Sequence, residues 1–200
     1  MVGGFSGFVL HYMIYYNCYY LQILINAALQ FMDFSFPSMK KQNSAALSTH
    51  TVAMFWSYYM TGTPDMASSF LVNNHSQHLR STKYSSYIRV EDKELHKTQR
   101  KPLDGIPKAV LDGLTDYRAS PLMADNLKGL PKTLLITCEY DVLKDDGLLY
   151  KARLQGAGVQ VTHFNYMTHH VFVIVQAPHL FTTEEFRQAF RDIVDFLKEL

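Results

Sequence analysis

The sequence predicts an α/β fold: a parallel sheet flanked by helices, with a largely helical section inserted into it. Three observations carry this. Pro131–Phe164 (PKTLLITCEYDVLKDDGLLYKARLQGAGVQVTHF) reads strand, acidic turn, helix, glycine stop and strand. Such a unit, packed into about 30 residues, is a crossover whose two strands run parallel. Leu21–Asn26 (LQILIN) and Thr133–Cys138 (TLLITC) are near-continuous apolar runs, the pattern of strands covered on both faces. Thr182-Thr183-Glu184-Glu185 matches a capping box, and the segment after it sets Phe186, Phe190, Ile193, Val194 and Leu197 on one helical face.

Taken in order, the elements begin with an uncharged stretch. Residues 1–32 hold no Asp, Glu, Lys or Arg, and Asp33 is the first charge. Two readings stay open. One is a buried helix over Phe8–Tyr20 leading into a strand at Leu21–Asn26; the other is a spanning or interfacial helix, with membrane association as its consequence. His11, Asn17, Gln22, Asn26, Gln30 and several tyrosines make burial in hydrocarbon costly, and a secretory signal would need a basic start that is absent here. A Pro-containing turn follows at Asp33–Ser38. Thr51–Met60 (TVAMFWSYYM) is expected as a helix ending before Gly62 and Pro64. Asn73–Lys108 is polar, with Pro102, Gly105 and Pro107, and reads as loop. Thr133–Cys138 is a buried strand. Asp145–Gln155 is a helix with Leu148, Leu149, Ala152 and Leu154 on its apolar face, stopped by Gly156 and Gly158. Val159–Phe164 is the next strand.

Composition closes off several classes. Lys and Arg number 19 against 18 Asp and Glu, a formal net charge of +1, and no basic stripe stands out. The densest charge run, Arg89–Lys93 (RVEDK), mixes signs and reads as a solvated loop. Nucleic acid is not the expected partner. Two cysteines, Cys18 and Cys138, give neither a disulfide framework nor metal-ligand spacing, and Cys138, at the end of an apolar strand, is expected as a buried, inert thiol. Asn74-His75-Ser76 is a glycosylation sequon that acts only if this segment enters a secretory lumen.

Chemistry is expected where parallel strands end, because loops at their carboxyl edge collect reactive groups. Asp141 lies three residues past TLLITC, and His169 and His170 lie past the next strand. A carboxylate that holds an imidazole in one tautomer, with that imidazole as general base to a hydroxyl, is the logic of a Ser-Asp-His triad. The plainer reading stands beside it: Asp141 as a turn cap, Asp145 and Asp146 complementing a helix N-terminus, and His163, His169 and His170 as ordinary loop histidines. No set of acidic or histidine ligands points to a metal.

From about Leu21 onward the chain resembles the arylacetamide deacetylase-like family of α/β-hydrolases, close to hormone-sensitive-lipase-type esterases. Leu21–Gln42 (LQILINAALQFMDFSFPSMKKQ), Ser120–Asp125 (SPLMAD) and above all Leu130–His163, with YDVLKDDGLLY and RLQGAGVQVTH, carry the resemblance. It implies the C-terminal part of an α/β-hydrolase fold. In that layout residues 1–20 are a divergent apolar N-terminus and 21–46 a strand and turn; 47–130 form a cap-like section, and 131–200 the strand–helix–strand unit with a terminal helix. It implies further a serine carboxylesterase or deacetylase at the lumenal face of the endoplasmic reticulum membrane, hydrolysing small apolar esters or amides, lipid esters included, without cofactor. Asp141 matches the triad carboxylate. The family's histidine stands in D-G-F-H-G, where this chain reads Tyr166-Met167-Thr168-His169-His170-Val171; His170 is the preferred match and His169 the alternative.

The chain also departs from the pattern. No H-G-G-G oxyanion loop and no G-x-S-x-G nucleophile elbow occurs in its 200 residues. Gly4-Phe5-Ser6-Gly7-Phe8 offers G-x-S without the closing glycine. The expectation is a member that keeps Asp and His but is inactive alone. The alternative is a non-catalytic, membrane-associated hydrolase-like protein that binds apolar ligands or partners.

Overall fold

Thr133–Cys138, six residues without charge or glycine, form the central strand β2 between β1 (Gln22–Ile25) and β3 (Val161–Tyr166), and all six are buried. In this computed structural model, which describes residues 21–40, 47–88, 103–170 and 184–199, the three strands run parallel in the order β1-β2-β3. The register sets Gln22, Thr133 and Val161 side by side, and likewise Ile25, Ile136 and Phe164. The expected helix at Phe8–Tyr20, Ser6, the Arg89–Lys93 loop and Thr182-Thr183 of the capping box lie outside the described residues.

Side chains alternate across a strand, and β2 divides the core accordingly. Leu134 and Ile136 join Leu21, Tyr166, Ala189 and Phe196 in one cluster. Leu135 joins Leu24 and the larger cluster that runs through Phe31, Trp56, Phe70 and Leu154. Between β1 and β2 come α1 (Pro37–Lys40), α2 (Thr49–Thr61), α3 (Ala67–Leu71), α4 (Tyr84–Tyr87) and α5 (Lys108–Gly113). Helix α6 (Lys144–Gly156) links β2 to β3, and α7 (Glu184–Lys198) lies against β2.

Helix α2 starts two residues before the expected Thr51. The Ser48 hydroxyl accepts the Thr51 N–H at 3.0 Å, and Gly62, at φ +76°, closes the other end. Helix α6 runs through Gly156; the left-handed turn falls to Gly158 at φ +80°. The Val159 N–H is spent on the Leu154 carbonyl at 3.0 Å, so β3 begins two residues later than the apolar run suggests. The apolar faces also differ from expectation. In α6 the buried side chains include Tyr150 and Leu154, while Leu148 is exposed. In α7 Ala189 and Phe196 are buried, whereas Phe190 is 58% exposed with Val194 and Leu197 exposed beside it.

The polar stretch after Val72 is not merely loop. Asn73, His75 and Ser76 are buried and bracket the chain that leaves β1. Asn73 accepts the Phe34 N–H and donates to Asp33 Oδ1, both at 2.8 Å. His75 Nε2 reaches the Phe31 carbonyl at 2.7 Å, and Ser76 Oγ donates to the Met32 carbonyl at 2.6 Å. His75 and Ser76 of the sequon are therefore folded inward, while Asn74 itself is half-buried. Arg153 on α6 ties the SPLMAD segment down by donating to the Leu122 and Ala124 carbonyls, its guanidinium 3.6 Å from the centre of the Tyr87 ring.

Two glycines make a testable contrast. A Cβ on Gly147 would stand 2.8 Å from Thr137 Cγ2. That methyl cannot swing away, because Thr137 Oγ1 is held between His163 Nε2 and Asn165 Oδ1, each at 2.9 Å. A Cβ on Gly113 would meet chiefly the tip of Met60, a side chain with rotamers to spare. Gly147→Ala is expected to lose about 1–3 kcal/mol to overpacking despite the roughly 1 kcal/mol helix-propensity gain. Gly113→Ala should cost less, and urea midpoints in the reverse order would contradict this packing argument.

Candidate active site

The site is assembled where the three strands end. Past Cys138 the chain turns, with the Asp141 N–H on the Cys138 carbonyl at 3.2 Å and the Lys144 N–H on the Asp141 carbonyl at 3.2 Å. The loop after β3 is laced to this turn: the Glu139 N–H donates to the Tyr166 carbonyl at 2.8 Å, and the Tyr140 N–H to the Thr168 carbonyl at 3.1 Å. That lacing brings His170 onto Asp141. His170 Nδ1 lies 2.8 Å from Asp141 Oδ2, and both side chains are almost wholly buried. The other carboxylate oxygen, Oδ1, accepts the Leu143 N–H at 2.9 Å. Asp141 thus serves the turn with one oxygen and meets the imidazole with the other.

The carboxylate accepts, so Nδ1 carries a proton, and in the neutral ring Nε2 is left with its lone pair. Nε2 has no hydrogen-bond partner among the described residues. Chemically, this is an imidazole oriented to accept a proton at Nε2 and stabilised by a buried carboxylate once charged.

The structure does not bring His169 to Asp141. Its ring lies 5.3 Å from that of Tyr140, and its Nδ1 is buried without a partner among the described residues. His163 belongs to β3, between Lys151 Nζ at Nδ1 and Thr137 Oγ1 at Nε2; burial holds its pKa below the ordinary value. Cys138 is fully buried, and burial pushes its thiol up to about 12, which leaves it inert. No group of three or more His, Cys, Asp or Glu side chains is set to hold a metal among the described residues. No helix among them is long and apolar enough to cross a membrane.

Sequence reasoning passed over Asn26. It follows β1 directly, takes a left-handed backbone at φ +47°, and donates from Nδ2 to the His170 carbonyl at 2.7 Å. The available signal was an Asn at the end of an apolar run, a residue type that adopts positive φ more readily than most. A cavity of about 490 Å³ has a mixed lining, apolar at Phe34, Met39, Leu47, Leu71 and Val142 and polar at Lys40, Ser48, Thr49 and His50, and neither Asp141 nor His170 lines it.

Comparison with known proteins gives this architecture its place. The sequence profile of the alpha/beta hydrolase fold family matches residues 76–174. Arylacetamide deacetylase of Bos taurus is 39% identical over 153 residues, 72% of this chain and 38% of that protein. The chain belongs to the arylacetamide deacetylase-like α/β-hydrolase family. Neutral cholesterol ester hydrolase 1 of Rattus norvegicus is 34% identical over 172 residues, covering 79% of this α/β-hydrolase chain and 42% of the relative. The chain therefore spans about two fifths of the length of these curated relatives. Among solved structures, a fungal esterase from Rhizomucor miehei superposes with a TM-score of 0.58 at 22% identity, over 90% of this chain and 42% of its own. A thermostable esterase from Pseudomonas putida gives 0.53 at 24% identity, over 86% and 39%. These two likenesses speak for the α/β-hydrolase fold.

Proposed function

We propose that this chain carries the carboxylate–imidazole half of a Ser-Asp-His carboxylesterase or deacetylase acting on apolar esters or amides. The buried 2.8 Å contact between Asp141 and His170 supports this reading above all else. His170 Nε2 is the general base that takes the proton of a serine hydroxyl and returns it to the leaving group; Asp141 holds the tautomer and stabilises the imidazolium. The helical section over 47–130 would form a cap over the site. The family names support ester or amide substrates, and a lumenal, membrane-associated setting in the endoplasmic reticulum belongs to the same proposal.

With no G-x-S-x-G elbow and no H-G-G-G loop in the 200 residues, the chain alone is expected not to turn over substrate. Losing a triad member costs on the order of 10⁶-fold where the residues act as a unit. The check is an assay of the purified chain with a p-nitrophenyl acyl ester and a fluorophosphonate probe. Neither labelling nor Asp141-dependent turnover is expected, and turnover abolished by Ser6→Ala would overturn the claim that a nucleophile is missing.

A second reading, a non-catalytic protein that associates with an apolar surface, draws on the stripe of Phe190, Val194 and Leu197 that α7 leaves exposed. Carbonate extraction of membranes separates peripheral from spanning association. Release into the soluble fraction would rule out a spanning segment.

A further inference from the structure

We propose that Asn26 is the positioning residue that holds His170 on Asp141. This rests on the reading of Asp141 and His170 as the acid–base pair and adds to it a contribution from a third strand.

The argument begins with the backbone. Ile25 is the last residue of β1, and the Asn26 N–H still continues the ladder to the Ile136 carbonyl at 3.0 Å. At Asn26 the chain turns into left-handed φ, a region that most side chains avoid and that Asn tolerates. The turn leaves the amide almost wholly buried, only 4% exposed, beside the Cys138 thiol. From there Nδ2 donates to the His170 main-chain carbonyl at 2.7 Å.

The acceptor side of the same amide is left bare. Asn26 Oδ1 is buried with no hydrogen-bond partner among the described residues, an arrangement that native structures rarely tolerate. A residue chosen for packing at this position would be apolar. What the amide supplies, and an apolar side chain cannot, is the donor to His170, together with a polar contact to the Cys138 thiol.

The consequence is geometric. His170 follows β3, and Asp141 follows β2. The pairing of β3 with β2 and the lacing of the loop after β3 bring the histidine alongside Asp141, but they leave the His170 carbonyl itself unheld. The Asn26 donor reaches from the tip of β1 and fixes the His170 backbone from the far side, while Asp141 fixes the imidazole. Two clamps on one residue, one on the carbonyl and one on Nδ1, define both where the ring sits and which nitrogen it offers.

The experiment uses the 200-residue chain with ¹⁵N-labelled histidine and reads the His170 imidazole by NMR. Three variants are compared with the parent: Asn26→Gly, which keeps positive φ available while removing the amide; Asn26→Asp, which keeps the shape but replaces donor with acceptor; and Asp141→Asn. The parent should show a slowly exchanging His170 Nδ1–H with the ring in the Nδ1-protonated tautomer. Both Asn26 variants should exchange that proton at least about tenfold faster, equivalent to about 1.4 kcal/mol, with the ring shifting towards the Nε2-protonated form. An unchanged signal in either folded Asn26 variant, with Asp141→Asn abolishing it, would overturn the positioning role and leave the pair intact. An unchanged signal in Asp141→Asn would overturn the pair itself. Loss of the folded amide spectrum in both Asn26 variants would also overturn the proposal, since Asn26 would then determine the fold rather than orient His170.

Discussion

Asp146→Ala is expected to destabilise the protein by about 2–6 kcal/mol, because it strands two buried donors at roughly 1–3 kcal/mol each. Asp146 sits in the first turn of α6 yet is fully buried. Its Oδ2 accepts the Leu29 N–H at 3.1 Å, and its Oδ1 accepts Gln30 Nε2 at 2.9 Å. Gln30 in turn receives the Met32 and Asp33 N–H groups on its own oxygen. One carboxyl group therefore fixes the whole exit from β1 onto α6.

The same substitution should change how stability depends on pH. Burial pushes Asp146 up to about 7 from an ordinary 3.8, against the pull of its hydrogen bonds. Below pH 3.8 folded and unfolded chains both hold the proton, and the contribution is fully present. Between 3.8 and about 7 only the folded state keeps it, so stability falls as pH rises, by on the order of 4 kcal/mol. His75 works the other way. Burial lowers it from 6.5 to about 4, so between those values the unfolded chain takes up the proton first. Stability from His75 is complete above 6.5 and declines on acidification, by on the order of 3 kcal/mol. A neutral His75 has one ring proton for two carbonyl neighbours, and the closer Phe31 oxygen at 2.7 Å claims it over that of Ser69 at 3.1 Å. Across pH 4 to 6.5 the two slopes oppose each other. Asp146→Ala should unmask the histidine, giving a urea midpoint that climbs with pH more steeply than in the parent. Parallel profiles for the two proteins would sink the argument.

How much of this was legible in the sequence depends on what holds each element. Thr133–Cys138 lies in the structure where the apolar run places it, since a strand covered on both faces must be apolar throughout. The parallel pairing of β2 with β3 and the helix between them follow from the same logic. The edges of the elements were less legible, because capping bonds set them: Ser48 advances α2, and the Gly158 turn delays β3. Least legible was the bracket of Asn73, His75 and Ser76. Polarity reads as exposure, but here each polar group satisfies a backbone atom of the segment leaving β1, and buried backbone must find partners somewhere. At the site, Asp141 and His170 were readable from their order past two strand ends. Asn26 was not, because its part depends on a contact 144 positions away in the chain, which no local pattern announces.

Phe31→Ala is expected to cost about 3–5 kcal/mol, the usual range for deleting a buried aromatic, with the damage concentrated in the inserted helices rather than in the sheet. Phe31 is fully buried. Its ring stacks on Trp56 of α2 at 4.7 Å between centroids and meets Phe70 of α3 edge-on at 5.7 Å, and its carbonyl anchors His75. Removing the ring takes the common neighbour from α2 and α3, while Leu134 and Ile136 of β2 belong to the other cluster. Hydrogen exchange should show the α2 amides losing protection first, with β2 still protected, since regions open according to their own contacts. Phe31→Leu should cost less, about 1–2 kcal/mol, because volume is largely kept. Gln30 and Leu29, held by Asp146, stand immediately before Phe31, so the strand end that carries Asn26 is insulated from the cavity left behind. The Asp141–His170 contact should therefore survive Phe31→Ala. If α2 and β2 instead lost protection together, the inserted helices and the sheet would open as one cooperative unit, and the division drawn between them would not stand.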